Sequence, residues 1–407
     1  MIAARRQSRP QSRHADGGPG AWRRWLIVVV AAGCAACAGV SAPSTAPSTA
    51  PVTAPVTAPA AAPVTAPVSA SDSTPASPSP DVGAPPASAA DPLPSWRDGA
   101  AKQAILRFVR DTTTPGGRDF IAPADRIAIF DNDGTLWRED PRAELLFVAH
   151  LARARTEADP TLGAQSPYRE FLADPRGYLQ RGDTAALQLL HAVYGNTAVE
   201  SFQDEARRFL AVARHPRSRA PLRDGIYQPM LELLGLLRAQ GYQTWLCAGS
   251  TADFMRAFAA DYYGIAPQQV IGSRLALRFR ETAQGNAVWR EPRVDSFNDK
   301  ENKPANIALQ IGKRPVFAAG NVGGAGDIAM LAYSQGRRGP SFQLLIDHDD
   351  AQRESAYTEP DGASLKAAAA HRWTVVSMRR DWERVFVAPS APGRALAGEP
   401  MARPAAP

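Results

Sequence analysis

Asp131 and Asp133 stand two residues apart in Asp131-Asn132-Asp133-Gly134, directly after the apolar run Arg126–Phe130. Two carboxylates at the end of a buried strand suit a particular chemistry. A hard cation such as Mg²⁺ takes carboxylate and carbonyl oxygens and keeps several waters. A carboxylate beside such a cation and a basic group can attack phosphorus, and the second carboxylate can pass a proton. Asp-Asn-Asp-Gly is also a common turn sequence, so the pair alone leaves both readings open. Further polar residues fall at comparable places. Ser250 and Thr251 follow the run Thr244–Ala248, and Lys303 lies in Asp299-Lys300-Glu301-Asn302-Lys303-Pro304. Asn321 and Asp327 bracket a glycine-rich stretch after Val316–Ala319.

These residues need strands that end beside one another. The runs Arg126–Phe130, Thr244–Ala248, Val316–Ala319, Phe342–Ile346 and Trp373–Met378 read as strands. Helical patterns cover Ala100–Arg110, Ala143–Arg155, 184–194 with Asp183 or Thr184 as cap, and 197–213 with Thr197 and Glu200 as a capping box. Others cover Gln228–Gln240, Ala252–Ala260, Pro304–Ile311 and Ile328–Tyr333. Leu275–Glu281 and Ala287–Glu291 flank Gln284-Gly285-Asn286, a hairpin signal. Alternating strands and helices predict an α/β fold with a parallel sheet, interrupted by an inserted helical cap at about 138–215. In such sheets ligands bind beyond the carboxyl ends of the strands, where Asp131, Asp133, Ser250, Asn321 and Asp327 collect.

Phe130-Asp131-Asn132-Asp133-Gly134-Thr135-Leu136 resembles the first motif of the haloacid dehalogenase (HAD) superfamily of phosphohydrolases. The resemblance extends over about 115–387. It implies a Rossmann-like doubly wound parallel sheet with an inserted α-helical cap, as in the phosphoserine-phosphatase-like branch. It implies that Asp131 is a nucleophile forming an aspartyl-phosphate and that Asp133 protonates the leaving alcohol, then activates water. Lys303 resembles the lysine of the third motif, which holds nucleophile and phosphate together; Lys300 is the other candidate. Gly320-Asn321 through Asp327-Ile328-Ala329-Met330-Leu331 resembles the fourth motif, with one acid in a longer loop. Asp131, Asp133 and Asp327 are the implied Mg²⁺ ligands. The second motif departs most: Ala248 stands where a phosphate-binding hydroxyl belongs, and Ser250 supplies it only if the register shifts. Alternatively, Ser250 or Thr251 merely caps the next helix. Trp137, Arg138 and Glu139 are candidate substrate contacts.

The remainder of the chain reads differently. The 407 residues carry a formal net charge of +6, and residues 1–34 hold six arginines against the single acid Asp16. The leader therefore accounts for nearly all of the net positive charge, and no nucleic-acid partner is implied. An arginine-rich stretch, an apolar run from Trp25 and small residues up to Cys34 form a signal peptide, 1–34. Val30-Ala31-Ala32-Gly33-Cys34 resembles a bacterial lipoprotein signal, which implies lipidation of Cys34, with Cys37 as competitor. Fourteen of the 36 prolines fall between Ser41 and Ser95, first in Ala-Pro-Ser-Thr and Ala-Pro-Val-Thr repeated with period four to about Val68, then in Pro/Ser/Ala-rich sequence. Residues 35–95 thus form a semi-extended linker, and 388–407 a disordered tail. The expected protein is an exported, membrane-anchored phosphatase of a small phosphomonoester, facing the periplasm or the cell surface. Neither substrate nor oligomeric state is legible.

Two other readings compete. A tethered, non-catalytic binding module on a decayed scaffold would explain the altered second and fourth motifs. A dinucleotide-binding loop would use Gly320, Gly323 and Gly326 with Asp347; it leaves Asp131, Asp133 and Lys303 unexplained. Of the rest, His348, Asp349 and Asp350 follow a strand and could approach the site, but read more readily as a solvated strand end, and Cys247 reads as a buried strand residue.

Overall fold

The computed structural model describes residues 90–389 apart from Gly182 and Gln284. The expected signal with Cys34, the linker up to residue 89 and the tail beyond 389 lie outside the described residues.

The strands are β1 (Ile127–Phe130), β2 (Thr197–Ala198), β3 (Gln243–Thr251), β4 (Val270–Thr282), β5 (Gly285–Ser296), β6 (Phe317–Asn321), β7 (Phe342–Asp347) and β8 (Thr374–Ser377). They form one eight-stranded sheet in the order β2-β5-β4-β3-β1-β6-β7-β8. The pairs from β4–β3 through β7–β8 are parallel. β5 runs antiparallel to β4 and to β2. Every residue of β1 and β6 is buried, as expected of parallel strands covered on both faces. β1 has β3 on one side and β6 on the other, so crossovers diverge around it and leave a crevice at its carboxyl end. The fold is a mixed α/β fold with a mostly parallel sheet, as its alternating pattern predicts.

Helices cover the sheet where apolar residues recur at helical spacing. Gln228–Ala239 begins with a proline in its first turn and buries Met230, Leu233, Leu234 and Leu237. Ala100–Thr113 sets Phe108 against Phe342, with ring centroids 5.3 Å apart. Between β1 and β3 the chain forms Ala143–Ala158, Tyr168–Ala173, Pro175–Leu179, Asp183–Tyr194 and Val199–Val212, a helical insertion in the expected place. Its centre is aromatic: Phe147 lies 5.4 Å from Phe202, 5.2 Å from Phe209 and 5.3 Å from Phe254.

Some local expectations fail. The capping box at Thr197 and Glu200 does not form. The helix starts at Val199 with Ala198 as an N-cap that makes no side-chain bond. Thr197 instead pairs with Arg290 in the sheet, and its hydroxyl donates to the Tyr194 carbonyl at 3.1 Å. The helix expected over 252–260 is two short ones, Ala252–Arg256 and Ala259–Tyr263. They part at Phe258, whose buried ring stacks 4.8 Å from Trp137. The hairpin is longer than its sequence signal, because β4 runs on past its pairing with β3 and β5 meets the insertion through β2.

That junction buries an arginine. Arg290 on β5 is 0% exposed and lies 3.5 Å over the Phe202 ring. Its Nε stands 3.1 Å from Asp253 Oδ2, an ion pair without a directed hydrogen bond. Its backbone carbonyl accepts from Asn196 N at 2.7 Å. Nearby, Val294 N donates to His191 Nε2 at 3.3 Å. The insertion is thus fastened to the sheet away from its two chain connections.

Candidate active site at the carboxyl end of β1

Asp131 is the first residue beyond β1, and its amide donates to the Ala319 carbonyl of β6 at 3.0 Å. Lys303, in the helix Asn302–Ile311, reaches it from the other side of the crevice. Its Nζ donates to Asp131 Oδ1 at 2.7 Å and to Asp327 Oδ1 at 2.5 Å. All three side chains are buried. Burial disfavours the ammonium, but Asp131 and Asp327 hold it well above the ordinary lysine range. Lys300 takes no such place: it lies in the turn before the helix at φ +49°.

Asp133 faces a different pair of donors. Trp137 Nε1 donates to its Oδ1 at 2.8 Å, and Ser250 Oγ to its Oδ2 at 2.7 Å. Burial raises its carboxyl above the ordinary range; the Arg142 charge and these two hydrogen bonds pull the other way. Ser250 arrives there through a register shift. Cys247 pairs with Ile271 and Thr251 with Ser273, so β3 spends two residues more than β4 over that interval. A bulge of this kind re-aims a side chain. Ala248 stays buried in the strand, while the Ser250 hydroxyl comes to the crevice. Thr251 is committed elsewhere, with its amide and hydroxyl both donating to Glu144.

Asp327 closes the loop after β6. Its Oδ2 accepts from Asn321 N at 3.0 Å. Gly134, at φ +84°, lets the loop after β1 pass against this one: a Cβ there would stand 2.2 Å from Asn321 Nδ2. The loops therefore interlock, and Thr135 Oγ1 donates to Asn321 Oδ1 at 3.1 Å.

The crevice has a volume of about 170 Å³ and takes Asp131, Asp133, Ser250, Lys303 and Asp327 into one lining. Glu139, Arg142, Glu144, Leu145, Val148 and Leu190 line it from the insertion side. Of the expected substrate contacts, Glu139 lines the crevice and is ion-paired with Arg142. Trp137 is buried on Asp133, and Arg138 lies 4.4 Å over the Phe386 ring.

Several site residues escaped the sequence reading. Asp299 lines the crevice, and burial raises its carboxyl. It stands four residues before Lys303, and its carbonyl accepts from Asn302 N at the helix start, the signal that could have found it. Asn298 is fully buried, and its Nδ2 donates to the Ala248 carbonyl at 2.9 Å, satisfying backbone that the bulge frees. His348 corrects an expectation. It is not a solvated strand end but 1% exposed. Its Nε2 meets the Gly134 carbonyl at 2.8 Å, its Nδ1 meets Glu354 Oε2 at 2.9 Å, and its ring stacks 4.0 Å from Tyr357. Cys247 is buried as expected, with its thiol pushed up to about 12 by burial.

Oxygen donors such as these suit a hard cation. Burial and the neighbouring Asp327 push the Asp131 carboxyl well above the ordinary range, against the pull of Lys303. Asp131, Asp133, Asp299 and Asp327 outnumber Lys303 and Arg142 around one crevice, an excess of acids over bases that a divalent cation offsets. The donors fit Mg²⁺ in kind. They do not converge as expected, because among the described residues no three His, Cys, Asp or Glu side chains come together as a metal site. The expected trio of Asp131, Asp133 and Asp327 is split: Asp133 is turned to Trp137 and Ser250, and Lys303 stands between the other two.

Solved structures are similar to the chain at low identity. A conserved protein of unknown function from Anaerococcus prevotii is 16% identical with a TM-score of 0.45, covering 68% of this chain and 91% of that one. A protein of unknown function from Bordetella pertussis is 16% identical with a TM-score of 0.42, covering 62% and 97%. A HAD family hydrolase from Salmonella enterica serovar Typhi is 13% identical with a TM-score of 0.34, covering 63% and 68%. No curated protein matches the chain. The family of haloacid dehalogenase-like hydrolases matches residues 128–331, from within β1 to the helix after Asp327. That match is half of the chain and takes in every residue of the crevice named above, so the chain belongs to the haloacid dehalogenase-like hydrolases.

Proposed function

We propose that the chain is an exported, Mg²⁺-dependent phosphatase that hydrolyses a small phosphomonoester through an aspartyl-phosphate on Asp131. The observation that carries this reading is the buried Lys303 ammonium shared by Asp131 and Asp327, beside Asp133 held on two hydrogen bonds. Membership of a hydrolase family supports bond cleavage by water.

An Asp131 carboxylate oxygen attacks phosphorus, and the phosphorus–oxygen bond to the alcohol breaks. Asp133, whose burial favours its protonated form, gives its proton to the departing oxygen. It then takes a proton from water. That water's oxygen attacks phosphorus, and the bond to Asp131 breaks, releasing inorganic phosphate. Lys303 and the Ser250 hydroxyl hold the phosphate oxygens throughout. Asp131 and Asp327 would hold Mg²⁺ with carbonyl and water oxygens, and the cation would offset phosphate charge. Residues of the insertion, among them Leu145, Val148 and Leu190, line the crevice on the side where the alcohol would lie. Lipidation of Cys34 would anchor the protein, with 35–95 as tether.

The test is phosphate release by the full-length chain from a panel of phosphomonoesters, with Mg²⁺ and with EDTA, beside Asp131→Asn. Mg²⁺-dependent release, lowered at least about a thousandfold in the variant, is expected. Absence of release from every ester by a folded, Mg²⁺-supplied protein sinks the reading. Fractionating cells that express Cys34→Ser tests the anchor: the variant should leave the membrane fraction.

A further inference from the structure

The loop between Asn321 and Asp327 folds its backbone into a cup. The amides of Gly323, Gly324 and Ala325 converge on Oε1 of Glu359, at 2.8, 3.1 and 3.0 Å. Ser364 Oγ donates to the same oxygen at 2.5 Å. One carboxylate oxygen therefore takes four donors, and Glu359 is 7% exposed. Burial works against its ionisation, but the Ser364 hydroxyl and the loop amides outweigh burial and hold the carboxyl below its ordinary range. Convergent amides of this type make anion-binding concavities. Here the chain supplies its own anion from beyond β7. Ala325 sits at φ +56°, a left-handed conformation that alanine rarely adopts and that turns its amide toward the carboxylate.

The same loop leads into Asp327, whose two oxygens meet Lys303 and Asn321. Gly326 passes so close to Asp299 that a Cβ would stand 2.5 Å from Oδ1. A shift of the loop therefore moves one candidate cation ligand and crowds or frees another acid. We propose that Glu359 is the positioning residue of this site: its carboxylate fixes loop 322–326 and thereby the placement of Asp327. The proposal rests on reading Asp327 as an Mg²⁺ ligand of a phosphatase.

The experiment compares the full-length chain with Glu359→Ala, Glu359→Gln and Ser364→Ala. Three quantities are read: amide hydrogen exchange at 323–325, Mg²⁺ binding by calorimetry, and phosphate release with kcat and KM separated. Exchange protection should fall in the order wild type, Ser364→Ala, Glu359→Gln, Glu359→Ala. Mg²⁺ affinity should fall with it, by roughly tenfold or more in Glu359→Ala. The loss should appear in kcat, with KM changed by less than about twofold, as for an interaction realised in the transition state. Acetate at tens of millimolar should refill the cup in Glu359→Ala, restoring protection and part of kcat, and should do nothing for Asp131→Asn. Should Glu359→Ala fail to fold, the other two variants decide. Wild-type protection in both of them overturns the proposal, and so does lost protection with unchanged Mg²⁺ affinity. A wild type that releases no phosphate, while protection and Mg²⁺ affinity still fall together, removes the phosphatase reading and leaves the role of Glu359 standing.

Discussion

Asp131 is costly to the folded protein in the absence of a cation. Its carboxyl is raised well above the ordinary range by burial and by Asp327. A carboxyl raised on folding binds its proton more tightly in the folded state, so stability falls as pH rises from the ordinary carboxylate value through the raised one. Asp131→Asn removes that cost, while Lys303 keeps Asp327 as partner. The variant is expected to melt at least about 2 °C higher than wild type at pH 7 in EDTA, while losing turnover; a lower melting temperature in calorimetry would contradict this. Asp133 titrates under different control. Trp137→Phe removes a donor that favours the ionised form. Such a bond is worth about 1 kcal/mol more to the ionised carboxylate than to the neutral acid, so the alkaline limb of kcat should move up by roughly half a pH unit to one unit. A limb that stays in place or moves down in the pH profile counts against Asp133 as the acid. Asp131, Asp133 and Lys303 were legible in the sequence because strand, turn and helix start are local patterns. His348 was not, because polar residues at a strand end look alike until Gly134 and Glu354 fold against them from elsewhere in the chain.

At the scale of elements, β3 shows where sequence patterning stops. Its apolar run marked the strand, but the two extra residues that bring Ser250 to Asp133 arise from pairing with β4. No residue type announces such a bulge. The junction of β5 with the insertion was equally hidden, since a hairpin signal says nothing of where Arg290 points, and it is fully buried. Its pairing with Asp253 sets an asymmetry between substitutions. Asp253→Ala leaves a guanidinium buried without its partner and should cost about 3–5 kcal/mol. Replacing both, with Arg290→Met and Asp253→Leu, should cost far less than that single change. Urea midpoints of the three proteins give the comparison, and equal losses would show that the pair itself matters little. The existence of the strands around β1 followed from the sequence; the pairing of β5 with β2 did not, because β2 is only two residues long.

Across the whole molecule, the described part of the chain carries chemistry at one end of its sheet, while the expected anchor and tether lie outside it. Among the described residues no helix is long and apolar enough to cross a membrane. Composition alone sets a proline-rich stretch apart from a foldable one, and the foldable one holds the described residues. The eight-stranded sheet takes one of its strands from the helical insertion. Insertion and sheet therefore share backbone hydrogen bonds, a buried arginine and the bonds that Thr251 of β3 donates to Glu144 on the first helix of the insertion. Heat cannot melt one and spare the other without breaking all three, so the van't Hoff and calorimetric enthalpies of unfolding should coincide in a single endotherm. Two resolved endotherms would mean that the insertion is a separate cooperative unit and that β2 couples it to nothing.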